Sequence, residues 1–216
     1  MPTICSAANL IFFPIPKVAC TSLKVLFYQI NNSVEWRDTR LAYGQVHTLP
    51  GYGSLSYGAT NLSDYGSFER IAVVRNPVER ALSAYRDKAR RVVLSGTVSE
   101  TKLKSAGLPL EPNPELFFSE IEQYFECAPV IREHMRPFSY YLGENIGEIN
   151  RVFRLEELDK LAEFVGQCLG KPIEMISSNS SKNSVNAPKP VSEKALQMAA
   201  DFVNEDISYL SEYYQL

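Results

Sequence analysis

The stretch Pro14-Ile-Pro-Lys-Val-Ala-Cys-Thr-Ser-Leu-Lys-Val-Leu26 decides how the chain is read. It follows the apolar run Asn9-Leu-Ile-Phe-Phe13, and residues 8–15 read as a buried strand. Residues 21–31 read as a helix with Leu23, Leu26, Phe27 and Ile30 on one face. A strand therefore turns directly into a helix, with Lys17 in front of the hydroxyls of Thr21 and Ser22. Backbone N–H groups at a helix start point outward, and the helix dipole favours an anion there. Lys17, the N–H groups of Val18, Ala19 and Cys20, and the two hydroxyls make the inventory of a phosphate cradle. The order is not that of G-x-x-x-x-G-K-[ST], because the lysine precedes the turn. The local pattern fits a plain helix cap beside an exposed lysine equally well.

Working outward, residues 69–75, Glu-Arg-Ile-Ala-Val-Val-Arg, read as a second buried strand. Asn76-Pro-Val-Glu then opens a helix: Asn76 caps, Pro77 takes the first helical position and Glu79 completes a capping-box pattern. Val78, Ala81, Leu82 and Tyr85 form its apolar stripe, and Ser83 lies off it. Arg75 ends the strand, where a guanidinium is costly unless it meets an anion. Arg80, Arg86 and Lys88 read as a solvated face with ion pairs such as Glu79–Arg86. A third strand is read at 150–155, with helices at 114–126, 156–169 and from the cap Ser192 to near the end. Residues 41–66 read as loop with short extended pieces, 95–114 as an exposed excursion and 177–190 as a polar loop. Alternating strands and helices predict an α/β fold, a parallel sheet flanked by helices with a helical and loop insertion, in one domain over 1–216. In such sheets ligands bind beyond the carboxyl ends of the strands.

The 216 residues carry a formal net charge of −3, which argues against nucleic acid as a partner. No run is long and apolar enough for a membrane span, and no signal peptide is read. Cys5, Cys20, Cys127 and Cys168 are widely spaced and read as free thiols of a reducing compartment, so a cytoplasmic protein is expected. Two histidines and no C-x-x-C pair predict no metal site.

Pro16-Lys-Val-Ala-Cys-Thr-Ser22 resembles the 5′-phosphosulfate-binding loop of sulfotransferases that use 3′-phosphoadenosine 5′-phosphosulfate (PAPS). Arg75-Asn-Pro-Val-Glu-Arg-Ala-Leu-Ser-Ala-Tyr-Arg-Asp-Lys88 resembles their 3′-phosphate-binding element, and the wording is similar to the carbohydrate, Golgi-type, family 2-like branch. Weaker likeness extends to residues 133–143, 152–161 and 205–214. The resemblance implies a P-loop-NTPase-like fold, PAPS as co-substrate, no metal, and sulfation of a hydroxyl on a carbohydrate or other glycosylated metabolite. It implies that Lys17 receives the charge of the breaking bond, with 17–22 on the 5′-phosphate and Arg75 and Ser83 on the 3′-phosphate. His47, in the loop between the motifs, is the candidate base; His134, Glu35 and Asp64 are the alternatives.

His134 and Arg136 are candidates for the acceptor pocket, as is Arg154, which also reads as an ion-pair partner of Glu156. Ser181 and Lys182 are candidates for touching the donor, in a segment whose composition also reads as a linker. Trp36 and the 12 tyrosines read as core before they read as a sugar-stacking wall. Two other classes stay open: a P-loop-type kinase, and a non-catalytic nucleotide-binding module of the same fold.

Overall fold

The computed structural model describes residues 2–59, 61–89, 100–175 and 191–215. Chain contacts divide it into two compact units: Met1–Arg75 with Phe138–Ala187, and Asn76–Pro137 with Pro188–Leu216.

The first unit is built on a four-stranded sheet in the order β1 (Thr3–Cys5), β2 (Leu10–Phe13), β3 (Glu69–Val74), β4 (Arg151–Arg154). β2, β3 and β4 run parallel, with Phe13 beside Ala72 and Val74 beside Arg154. Their carboxyl ends therefore share one edge of the sheet. β1 is antiparallel to β2. The expected strands are present but shorter, and β1 is an addition: three residues at the chain start give too little pattern to read. All four residues of β2 are buried, as are the last four of β3. Burying side chains of this size contributes about 1.5–3 kcal/mol each, so these two strands anchor the unit. α1 (Cys20–Asn32) stacks Phe27 on Phe12 with ring centres 5.3 Å apart. α7 (Phe138–Leu142) and α8 (Leu158–Leu169) complete its helices. This is the α/β sheet flanked by helices that the alternating pattern predicts.

Residues 41–66 differ from their reading as loop with extended pieces. They form short 3₁₀ turns at Tyr43–Thr48, Tyr57–Ala59 and Ser63–Tyr65. Gly, Tyr and Ser dominate there, and tight turns satisfy their backbone groups locally.

The second unit is helical: α2 (Pro77–Ala84), α3 (Glu100–Ser105), α4 (Pro114–Ser119), α5 (Ile121–Cys127), α6 (Pro129–Met135), α9 (Glu193–Phe202) and α10 (Asn204–Tyr209). Phe117, Phe118, Tyr124, Phe125 and Val203 lie at its core. Asn76 caps α2, its side chain accepting from Glu79 N at 3.1 Å, and Ser192 caps α9, accepting from Ala195 N at 3.2 Å. Of the expected exposed excursion, Leu103 and Leu108 are instead buried, because α3 turns an apolar side inward. Arg80 departs furthest from expectation. It is 3% exposed, not solvated, and its guanidinium meets Asp206 at 3.4 Å and the Arg136 carbonyl at 2.8 Å.

Candidate active site

The turn from β2 into α1 is held by its apolar members. Ile15 and Val18 are fully buried, which pins both sides of Lys17. Lys17 is half-buried and takes φ +70°, and Ala19 takes φ +60°. Each left-handed residue that is not glycine costs roughly 1–2 kcal/mol. Two within three positions is strain of the kind that gathers at ligand-holding loops. Such alternation turns successive N–H groups toward one concavity that suits an anion. The helix begins at Cys20, one residue earlier than predicted, and Ala19 supplies no side-chain cap. Thr21 and Ser22 thus sit in its first turn.

The second motif meets the first. Arg75 follows β3 directly, and its Nη1 donates to the Lys17 carbonyl at 3.3 Å. The parallel pairing of β2 and β3 makes this contact possible, since both strands end at the same edge. Lys17, Thr21, Ser22 and Arg75 are therefore brought together within one unit.

His47 joins them. The Tyr43–Thr48 turn packs on α1 with Val46 fully buried, and Gln45 Oε1 accepts from Ala42 N at 2.5 Å to close it. His47 Nε2 lies 2.9 Å from Thr21 Oγ1, and its Nδ1 lies 3.0 Å from Lys24 Nζ. Lys24 Nζ also donates to Ser54 Oγ at 2.9 Å. Lys24 is a site residue that the sequence reading did not single out. It is 0% exposed, and burial lowers its amine from the ordinary lysine value to about 8, against a smaller opposing effect of Cys20. The missed signal is its setting: every residue from Ser22 to Phe27 is buried, so this lysine has no solvated face.

Each remaining candidate is held by its own element. Ser83 is on α2 and His134 on α6, in the second unit, with Arg136 just after α6. His134 Nδ1 is 2.8 Å from the Val130 carbonyl, and Arg136 pairs with Glu133 at 2.9 Å. Arg154, at the end of β4, pairs with Glu157 at 3.1 Å. Glu157 accepts from Arg154 through both oxygens and also from Lys160, which holds its carboxyl down at about 2. Trp36 is 7% exposed and packs edge-on to Tyr28 at 5.3 Å, the core role read for it. Glu35 is exposed at the start of the 36–38 turn. The side chain of Asp64 and the candidates Ser181 and Lys182 lie outside the described residues. An open groove of about 960 Å³ beside the end of α8 contains none of these residues. Among the described residues no helix is long and apolar enough to cross a membrane.

A family model for the sulfotransferase family matches residues 3–216. Searches of curated proteins and of solved structures give no match.

Proposed function

The chain belongs to the sulfotransferase family, and we propose that it takes the sulfuryl group from PAPS and delivers it to a hydroxyl on a carbohydrate or glycosylated metabolite. The observation that carries this reading is the β2–α1 turn. Two strained left-handed residues, Lys17 and Ala19, shape it, and Arg75 reaches its backbone. That geometry supports an anion cradle with two cations, Lys17 and Arg75, on one edge.

PAPS supplies an activated SO₃ group on a phosphate oxygen. The turn N–H groups of 18–20 and the hydroxyls of Thr21 and Ser22 hold the 5′-phosphate. Lys17 stands where negative charge grows as the bond breaks, so it stabilises the transition state more than the ground state. Arg75 binds the 3′-phosphate as a planar fork, and the role of Ser83 there comes from the motif alone. His47 takes the proton of the acceptor hydroxyl. His134, Arg136 and Arg154 enter the acceptor site on the resemblance alone, as Ser181 and Lys182 do the donor site.

Calorimetric titration with 3′-phosphoadenosine 5′-phosphate, beside adenosine 5′-phosphate and magnesium ATP, tests this. Binding that needs the 3′-phosphate and no metal is the expected result. Indifference to the 3′-phosphate, or binding of magnesium ATP alone, would overturn it in favour of a kinase or a non-catalytic module.

A further inference from the structure

Lys24 presents a problem that the donor site does not solve. Its ammonium is fully buried in α1, and its partners among the described residues are two uncharged groups, His47 Nδ1 and Ser54 Oγ. A buried lysine ordinarily needs a carboxylate to offset its desolvation. Here burial dominates, and the amine sits at about 8. Of the titratable groups nearby, His47 touches it and Cys20 lies one turn back on α1. Elements packed on α1 bring Cys5 of β1, Arg37 and Asp38 of the 36–38 turn, and Tyr43. Tyr52 packs against Tyr28 of α1, and Lys17 and Arg75 meet in the turn before it. None of these seven is among the groups that shift Lys24.

The two bonds to His47 are coupled through one ring. An ammonium at Nζ can only donate, so Nδ1 must be the lone-pair nitrogen and the ring proton sits on Nε2, facing Thr21. A neutral amine can accept from Nδ1–H. Nε2 is then bare, and at rest it accepts from the Thr21 hydroxyl. Only this second arrangement offers a lone pair on the side of the phosphate cradle.

We propose that Lys24 is a positioning residue that selects, through its own charge, which nitrogen of His47 carries the proton. This rests on the proposed role of His47 as base. In the transfer, the acceptor oxygen bonds to sulfur as its O–H bond breaks. That proton goes to His47 Nε2. The Nδ1 proton crosses the 3.0 Å contact to the lone pair of Lys24 Nζ. The bond from sulfur to the bridging oxygen breaks, and its electron pair stays on the phosphate. One proton is left on Lys24 and returns to water after the products leave. Ser54 holds the amine in line throughout.

The chain has two histidines, so a protein labelled with ¹⁵N-histidine reports each ring separately. His134 is the internal reference, because its Nδ1 faces the Val130 carbonyl, an acceptor, and so carries the proton of the ring. His47→Asn assigns the signals. In donor-free wild type, long-range ¹H–¹⁵N spectra are expected to show Nε2 protonated below pH 8 and Nδ1 protonated above it. Lys24→Met should abolish that reversal, with a thermal melt showing the fold intact. Wild type that never exchanges the protonated nitrogen, or Lys24→Met reversing like wild type, would overturn the inference. The wild-type titration decides even if the methionine variant does not fold. A rate readout separates positioning from plain support. Wild-type kcat should rise with pH through about 8, and Lys24→Arg, which stays charged, should fall about 100-fold. Full activity in Lys24→Arg would also overturn it. The spectra need neither donor nor acceptor, so their failure is distinct from a failure of the calorimetry.

Discussion

Among the described residues two basic side chains are buried, Lys24 in the sheet unit and Arg80 in the helical unit, and they are treated differently. Arg80 is 3% exposed and meets a buried carboxylate, Asp206, together with the carbonyls of Arg136 and His134. Its charge is answered by an opposite charge and its donors by acceptors. Lys24 is 0% exposed and is answered, among the described residues, by an imidazole and a hydroxyl. A paired buried cation is the ordinary structural solution. A buried cation with neutral partners pays in stability for a charge that can come and go, which is characteristic of functional sites.

Breaking the structural cation should have the largest effect. Arg80→Ala leaves the Asp206 carboxylate buried without its guanidinium, a change that costs about 3–5 kcal/mol. At roughly 2–4 °C per kcal/mol for a chain of this size, the melting midpoint should fall by about 10 °C. A drop of only a degree or two would mean that Asp206 carries little charge in the folded protein, and the contrast with Lys24 would collapse.

The half-buried cations of the site come next. Lys17→Ala should lower kcat about 10²–10³-fold, the usual consequence of removing one donor to developing charge, while the thermal midpoint holds. Alanine must take the same φ of +70°, so that strain stays; Lys17→Gly relieves it and separates the strain from the charge. Arg75→Ala should act on binding and not on the chemical step. A hydrogen bond from a charged group is worth about 1.5–3 kcal/mol, so the donor product should bind roughly 10–100-fold more weakly with kcat nearly kept. If Arg75→Ala lowered kcat as far as Lys17→Ala, the division of labour between the two would be wrong.

How much of this could be read beforehand follows the same contrast. β2, β3 and the caps at Asn76 and Ser192 were legible because apolar runs and hydroxyl or amide caps are local signals. The meeting of Lys17 with Arg75 followed from two parallel strands ending together. Arg80 reads as solvated in the sequence because its partner lies 126 residues away, on α10. Lys24 does not stand out in the sequence because a helical lysine is ordinarily at the surface, and its partners His47 and Ser54 come from a loop whose 3₁₀ turns leave no periodic trace.

The smallest effect is the most direct measure of the unanswered charge. Lys24 has a folded value near 8 against an ordinary 10.5. Between those values the unfolded chain binds more protons than the folded one, so wild-type stability gains with rising pH. Below pH 8 both states are protonated and the full penalty applies, at most about 3 kcal/mol for a shift of this size. Lys24→Met removes that penalty and also removes two hydrogen bonds worth about 1 kcal/mol each. The variant should therefore be about 1 kcal/mol more stable than wild type at pH 7. That advantage should vanish within about one pH unit above 8 and become a deficit of about 2 kcal/mol by pH 10.5, because only the lost hydrogen bonds remain. Denaturant melts of both proteins across this range give the difference directly, and the titrations of Cys5 and Tyr52 cancel in it. A difference that stays flat with pH would mean that Lys24 does not change its charge on folding, and that its burial with neutral partners is packing alone.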